Sequence, residues 1–295
     1  MDYRDEVFLC AADKLSFSKA AEALNISQPA VTKHIKELES ALNCSLFDRN
    51  NSRVRLSESG LIAYERLRQI KNMYMDLDFE LGRVNKTFRG ALRLGASSTV
   101  AQYLIPPALA AFKRRFPDIK INLLNGNSFD MENALLNNEI DLALVENLNS
   151  RANIKYSPFY DDEIVAVCGA DRAYSKLQTI SARDLTKIPI ILREEGSGTL
   201  EVIKKTLADK KIDFAELDIP IHLGSSESIK NYLCNFDGIA LISELAIDKE
   251  IRLKSLVKIK IKDIGFHRKF RIAALHGHEA QTAKLFADYI ASYNF

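Results

Sequence analysis

The sequence has no apolar run near the ~20 residues that a membrane-crossing helix requires. It also has no secretory core, since MDYRDEVFLCAADKL carries its charges inside an amphipathic helical pattern. No membrane partner is therefore expected, and the expected compartment is the cytoplasm. Cysteine is scarce: Cys10, Cys44, Cys168 and Cys234 stand singly, without the C-x-x-C spacing of a zinc site or a redox dithiol. They are expected to be free thiols in a reducing compartment, Cys10 and Cys44 near a core. Inert packing is the common fate of such residues, and a redox role for Cys168 and Cys234 is the sharper alternative. Charge of one sign is not in excess. The 41 Lys and Arg against 39 Asp and Glu leave a net +2, which argues against a tail that wraps nucleic acid or coats a membrane.

Several chemistries are missing as well. The glycines of Gly196-Ser197-Gly198-Thr199 are not followed by Gly-Lys-Ser/Thr, so this is no Walker A loop. His276 and His278 have no cysteine or carboxylate cluster beside them in sequence and read as a solvated loop. No Ser-His-Asp or Cys-His order has supporting context. No metal, no cofactor and no catalytic residue is expected.

What is present begins with Phe17–Ser57, around which the chain is organised. Ser18 or Ser16 can cap a helix through Leu24. Asn25-Ile26-Ser27 is a tight connection, and Ser27 can cap a second helix that opens on Gln28-Pro29, where a missing N–H costs nothing. Val31, Ile35, Leu38 and Leu42 then form one apolar stripe. The opposite face carries Gln28, Thr32, Lys33 and Lys36. Gln suits adenine edges, Lys suits guanine or phosphate, and a Thr methyl suits thymine. A short helix with such groups near its start has the form of a DNA recognition helix. Arg49, Arg53 and Arg55 flank a turn at Asn50-Asn51-Ser52 and suit contact with the DNA backbone or minor groove. Over Ser18–Arg55 six bases face four acids, so the arrangement carries the signal and bulk charge does not. A helical pair with a solvated charged face is the bland alternative, with His34 a surface histidine.

FSKAAEALNISQPAVTKHIKELE followed by LFDRNNSRVRLSESG resembles the N-terminal domain of LysR-type transcriptional regulators. That family carries a small hydroxyl residue before AA, then SQPA or SQS, a basic helix, LF-x-R and an R-x-x-x-L-T/S-x-x-G close. The resemblance implies double-stranded DNA as partner, with Ser27, Gln28, Pro29, Thr32, Lys33, Lys36, Arg49, Arg53 and Arg55 at the contact. Many members have Ser-Arg-Gln where this chain has Thr32-Lys33-His34, a departure that bears on DNA sequence preference.

A first helix, Met1 to Lys14, has Val7, Phe8, Ala11 and Leu15 on one side and should brace the motif. Glu58 to about Lys86 lacks proline, and after Leu61 it repeats Leu67, Ile70, Tyr74, Leu77, Leu81 and Val84 at three- and four-residue steps. Such a seam suits a long helix pairing with another copy, with a surface helix lying on its own domain as the bland alternative. From Ala91 the period changes. ALRLGAS reads as a strand, Thr99 to Phe116 as a helix with Pro106-Pro107 near its start, IKINLLNGN as a strand, Phe129–Asn137 as a helix and IDLALVEN as a strand. This alternation signals an α/β unit with a parallel sheet. Ile154–Tyr160 and Glu163–Cys168 read as two strands separated by Asp161-Asp162. A second unit of the same kind follows. Its strands are at Ile188–Leu192, Ile219–Leu223, Gly238–Ile242 and Val257–Ile261, and its helices at Gly198–Lys210, Glu227–Asn235 and Ser243–Glu250. A late strand at Phe270–Ala274 and a helix at Glu279–Tyr293 close the chain.

The resemblance implies that these two units form a bilobed periplasmic-binding-protein-like effector domain. The expected division is a winged helix-turn-helix over residues 1–58, a dimerisation helix over 59–89 and the effector domain over 90–295. Lobe one would hold roughly 90–161 and 267–295, and lobe two roughly 162–266. A homodimer, or a homotetramer, is implied, and RNA polymerase is a candidate partner.

Open α/β sheets bind ligands at the carboxyl ends of their strands. The polar turns there contain Ser97, Ser98 and Thr99, then Asn125 and Asn127, then Glu146, then Gly198 and Thr199, and finally Ser226, with Arg193 just before the GSGT stretch. Helix N-termini and an arginine suit an anionic head group, whereas ordinary helix capping explains any single Ser or Thr. IILREEGSGT and LGSSESIK resemble the LysR branch that controls carbon-fixation and sulfur-assimilation genes, whose ligands are small anions or phosphorylated metabolites. The α/β body alone would equally suit a small-molecule-binding protein or an enzyme with an incidental helical front end. An architectural DNA binder is a third reading.

Overall fold

The computed structural model describes residues 1–48, 54–84, 88–277 and 280–295. Its contacts separate into two compact units, Met1–Lys86 and Thr87–Phe295. Of the sequence features above, Arg49, Arg53, the Asn50-Asn51-Ser52 turn and His278 lie outside the described residues.

In the first unit α1 (Tyr3–Lys14), α2 (Phe17–Leu24) and α3 (Gln28–Leu42) precede a small antiparallel pair, β1 (Phe47–Asp48) and β2 (Arg55–Leu56), and the long α4 (Glu58–Val84). The caps are local. Asp2, Ser16 and Ser27 each accept a backbone N–H of the first turn that follows, from Arg4, Lys19 and Ala30, so Ser16 rather than Ser18 opens α2. Leu15, Asn25 and Asn43 end the three helices in the left-handed region. That geometry turns Leu15 out to 55% exposure and removes it from the apolar side expected of it. Val7, Phe8, Ala11, Ala20, Val31 and Ile35 close the core together with Leu46 and Phe47.

The second unit holds the α/β body. Its elements are β3 (Gly90–Ser97), α5 (Ile105–Arg115), β4 (Ile119–Gly126), α6 (Ser128–Leu136), β5 (Leu142–Val145), β6 (Ile154–Gly169), β7 (Thr179–Ser181), β8 (Ile190–Arg193), α7 (Gly198–Asp209), β9 (His222–Leu223), α8 (Ser226–Leu233), β10 (Ile239–Ser243), α9 (Asp248–Arg252), β11 (Leu256–Lys262), β12 (Phe266–Leu275) and α10 (Gln281–Ala291). One sheet runs β4-β3-β5-β12-β6-β10-β8-β9, with β11 and β7 attached to its side. β3 is parallel to β4 and β5, and β8 is parallel to β9 and β10. The antiparallel pair β6–β12 belongs to both halves and carries the chain out of lobe one and back.

Three sequence expectations are corrected here. Ile154–Tyr160 and Glu163–Cys168 are one continuous strand, because Asp161 and Asp162 stand opposite Lys269 and Arg268 on β12 and are paired across it. A charged pair that looks like a break in sequence is satisfied across the ladder. The helix expected over Thr99–Phe116 is split into a π-helical turn, Val100–Leu104, and α5. Pro106 and Pro107 have no N–H to give to the preceding turn, so the α-helix restarts at Ile105. The strand expected at Ile219–Leu223 shrinks to β9. Pro220 lies inside that segment, and only His222 and Leu223 pair with β8.

Candidate functional site

Two surfaces hold the residues that sequence singled out. On the first unit, α3 turns Val31, Ile35 and Leu38 into the core and leaves Ser27, Gln28, Pro29, Lys33 and Lys36 exposed, with Thr32 half-buried. Thr32 Oγ1 donates back to the Gln28 carbonyl at 3.2 Å, and Lys33 lies only 3.9 Å from Glu37 at high exposure. Exposed pairs of this kind contribute little, so the lysine is available to an outside anion. A groove of about 560 Å³ runs along this face and includes Arg4 of α1, which the sequence reading did not single out. His34, expected on the surface, is half-buried, edge-on to Tyr3 at 5.3 Å.

The base of the hairpin is tied to α3 by Glu39. This buried carboxylate accepts the N–H of Leu46 at 2.8 Å and of Phe47 at 3.4 Å. Its place four residues after Ile35, on the apolar stripe, was the available sequence signal. Arg55 is exposed on β2 opposite Asp48. The Ser57-x-x-Gly60 close has a steric reason. Ser57 Oγ donates to the Ser45 carbonyl at 2.6 Å and accepts the Gly60 N–H at 2.9 Å, while a Cβ on Gly60 would lie 1.9 Å from the Leu46 carbonyl oxygen. The start of α4 therefore crosses the hairpin strand at backbone contact.

On the second unit the lobes meet at a buried ionic cluster. Arg268, on β12 where it passes between the lobes, donates Nε to Asp162 at 2.7 Å and Nη1 to Thr199 Oγ1 at 2.8 Å, and Nη1 lies 3.1 Å from Glu146. Glu146 also accepts the hydroxyls of Ser97 at 2.9 Å and Thr199 at 3.2 Å. Ser243 donates to Asp162 at 2.7 Å. Burial pushes the Asp162 carboxyl above its ordinary value, against the opposing pull of Arg268 and the Ser243 hydroxyl. Gly198 is needed for the close approach, since a Cβ there would come within 2.6 Å of the Glu146 side chain.

Several buried polar atoms have no partner: Ser98 Oγ and Thr99 Oγ1 next to Ser97, Ser197 Oγ next to Gly198, Arg268 Nη2 in the cluster itself, and Arg193 Nη1 at the end of β8. Buried polar groups are nearly always satisfied, and leaving one unmade is expensive. Arg193 is 1% exposed. Its Nε and Nη2 are held by Glu194, and Nη2 also reaches the Gly224 carbonyl, so one edge of the fork is left over. Of the residues expected at an effector site, Ser97, Glu146, Gly198 and Thr199 meet directly, and Ser98 and Thr99 follow Ser97 in chain. Asn127 caps α6, accepting the Asp130 N–H at 2.9 Å, while its amide lies against Gly196. Asn125 is exposed on β4 at the sheet edge. Ser226 is buried in the first turn of α8, which Ser225 caps. Asp162 and Arg268 were not singled out in sequence as site residues, and Ser197 entered only as part of the Gly196-Ser197-Gly198-Thr199 turn. Arg268 and Asp162 lie 106 positions apart, and nothing local links them.

A winged helix-turn-helix in one unit and a two-lobed α/β body with a buried polar cluster between its lobes in the other define a DNA-binding regulator with a ligand-binding domain. The chain belongs to the LysR family of transcriptional regulators. Residues 5–61 match the bacterial regulatory helix-turn-helix of the lysR family, and residues 85–294 match the LysR substrate binding domain. Similar proteins include a probable RuBisCO transcriptional regulator of Phaeodactylum tricornutum, 30% identical over 95% of this chain and 92% of the relative. The HTH-type transcriptional regulator CysL of Bacillus subtilis is 25% identical over 90% and 87% respectively. The regulatory domain of Synechocystis PCC6803 CcmR, solved in complex with 2-PG, matches at 27% identity and a TM-score of 0.62, covering 69% of this chain and 97% of that one. These relatives agree with the carbon-fixation and sulfur branch that IILREEGSGT and LGSSESIK suggested. The chain is a DNA-binding transcriptional regulator with an effector-binding domain, and its relatives are regulators, not enzymes.

Proposed function

We propose that the chain reads paired DNA half-sites as a dimer, and that a small anionic metabolite held between its two lobes modulates that reading. The unpartnered donors of Ser98, Thr99, Ser197, Arg193 and Arg268 carry the second part. Hydroxyls and guanidinium edges without acceptors suit carboxylate or phosphate oxygens. A phosphorylated small acid such as the 2-PG of the similar CcmR domain has those oxygens. Glu146 and Asp162 are already engaged by Arg268, Ser97, Thr199 and Ser243, so they hold the cleft's donors in place.

Dimerisation is supported by α4, whose Leu61, Ile70, Tyr74, Leu77 and Leu81 are each more than 40% exposed along one 27-residue helix. A seam of that length on a single chain is covered by a second helix. Recognition would run through Ser27, Gln28, Pro29, Thr32, Lys33 and Lys36, with Arg49, Arg53 and Arg55 at the DNA backbone or minor groove. A reader of operators works where the DNA is, which gives the cytoplasm as its compartment. No described helix is long and apolar enough to cross a membrane.

The test is a gel shift on the DNA upstream of the chain's own gene, against scrambled DNA, across a salt series. Each neutralised phosphate contributes about −0.9 to the log–log salt slope. Retention of the upstream fragment alone, with a steep slope, is expected. Lys33→Ala should weaken binding and relax its sequence preference, while Arg55→Ala should lower affinity evenly across sequences. Adding 2-phosphoglycolate, an anion of the kind expected, should shift the affinity or the footprint. No retention of any fragment at low salt would remove the DNA-reading proposal.

A further inference from the structure

The Ser97-Ser98-Thr99 turn runs directly into the π-helical turn Val100–Leu104, a rare geometry that recurs at functional sites. From this turn Tyr103 crosses to the other lobe, where its hydroxyl donates to Glu227 at 2.7 Å. Glu227 stands in the first turn of α8, beside Ser226. Its carboxylate also meets Lys230 at 2.8 Å. Lys230 is only 5% exposed. It donates to the Ala246 carbonyl at 2.9 Å, pairs with Glu250 at 2.8 Å and lies 5.2 Å from the centre of the Tyr103 ring.

Glu227, Lys230 and Glu250 all belong to lobe two, and Tyr103 is the single member from lobe one. Burial and then the bond to Glu227 push the Tyr103 phenol far above its ordinary value, while the Arg193 guanidinium acts the other way.

We propose that Tyr103 and Glu227 form an interlobe latch that sets how far the effector cleft is closed. The proposal rests on the effector reading above. The hydrogen bond exists only while the lobes are together. Lys230, fixed by Glu250 and Ala246, holds Glu227 in place, so at this contact closing orders little beyond the tyrosine. Within the latch, opening gives the phenol water in place of Glu227, and the ion pairs within lobe two stay intact. A contact that is small and reversible is what a metabolite of modest differential affinity can tip.

Hydrogen exchange on the full chain without ligand tests this directly. The N–H of Phe129 bonds to the Gly196 carbonyl, and those of Leu148 and Asn149 bond to Glu201, all between lobes. Tyr103→Phe keeps the ring under Lys230 and loses only the hydroxyl. It should speed exchange at these three amides by about fivefold or more, leaving central strand amides such as Leu94 unchanged. Glu227→Ala should do the same. Wild-type exchange at the three amides in either variant would overturn the latch. With 2-phosphoglycolate as probe, Tyr103→Phe should bind about tenfold more weakly than the wild type, because its closed state is less populated. If the wild type does not bind that probe, the choice of effector fails, and the exchange comparison still judges the latch.

Discussion

Arg268 and Asp162 face each other across β12 and β6, Nε to Oδ2 at 2.7 Å, at the point where both strands pass from one lobe to the other. The same guanidinium reaches Glu146 and Thr199. One buried cation thus neutralises carboxylates from a lobe-one strand end and from the crossing strand. Arg268→Ala should destabilise the effector domain by about 3–5 kcal/mol, because it leaves two buried carboxylates without their counter-charge. Urea unfolding followed by circular dichroism measures this. A loss below about 1 kcal/mol would mean that water reaches the cluster and that its burial is not what holds the crossing together.

Gly60 should resist replacement in the direction opposite to most helix glycines. Gly→Ala inside a helix usually stabilises by roughly 1 kcal/mol. Here the added methyl would press on the Leu46 carbonyl oxygen at 1.9 Å, and the neighbour is backbone that Ser57 also binds. Gly60→Ala should cost about 2 kcal/mol or more by overpacking and displace the hairpin base from α3. The thermal unfolding midpoint and the gel shift should fall together, and a raised midpoint would show that α4 can move away from the strand.

The latch carboxylate sets an acid limit. Burial works to raise the Glu227 pKa, but the bonds from Lys230 and Tyr103 outweigh it and hold the carboxyl below its ordinary 4.5. A carboxyl depressed in the folded state contributes stability that is complete above the unfolded value and is lost as pH falls through the folded one. The stability difference between wild type and Glu227→Gln should stay constant from neutral pH down to about 5 and shrink below that. A difference that shrinks between pH 7 and 5 instead would contradict the depressed value.

The thiols should separate cleanly in reactivity. Cys168 is buried on β6, and burial pushes its thiol up to about 11. Cys234 is exposed at the end of α8. Iodoacetamide at about pH 8 should label Cys234 in the native protein and Cys168 only after denaturation, since the thiolate is the reactive form. Rapid native labelling of Cys168, read by peptide mass, would show that lobe two opens.

Much of the DNA-reading unit was legible because its determinants are local. Ser27 lies three residues from the N–H that it caps, the Val31–Ile35–Leu38 stripe repeats at the helical period, and Asn25 and Asn43 sit at the left-handed ends of α2 and α3. The alternation after Gly90 similarly announced an α/β body. Glu39 was harder to read, since a carboxylate on an apolar stripe reveals its purpose only when Leu46 and Phe47 fold back onto it. Asp161-Asp162 misled for the same reason, as their cations are more than a hundred residues away on β12.

By itself, the sequence determined the first three helices, the Ser27 cap, the apolar stripe of α3 and the alternation of strands and helices after Gly90, because each depends on side chains within a turn or two of one another. Tertiary structure alone decided which polar residues meet. It brought Ser97, Glu146, Asp162, Thr199 and Arg268 into one buried cluster, set Asn127 at the start of α6 against Gly196 and carried Tyr103 across to Glu227. The physical reason is that a charge is buried only where its counter-charge arrives with it. That pairing is set by the long β6–β12 crossing and not by any spacing along the chain.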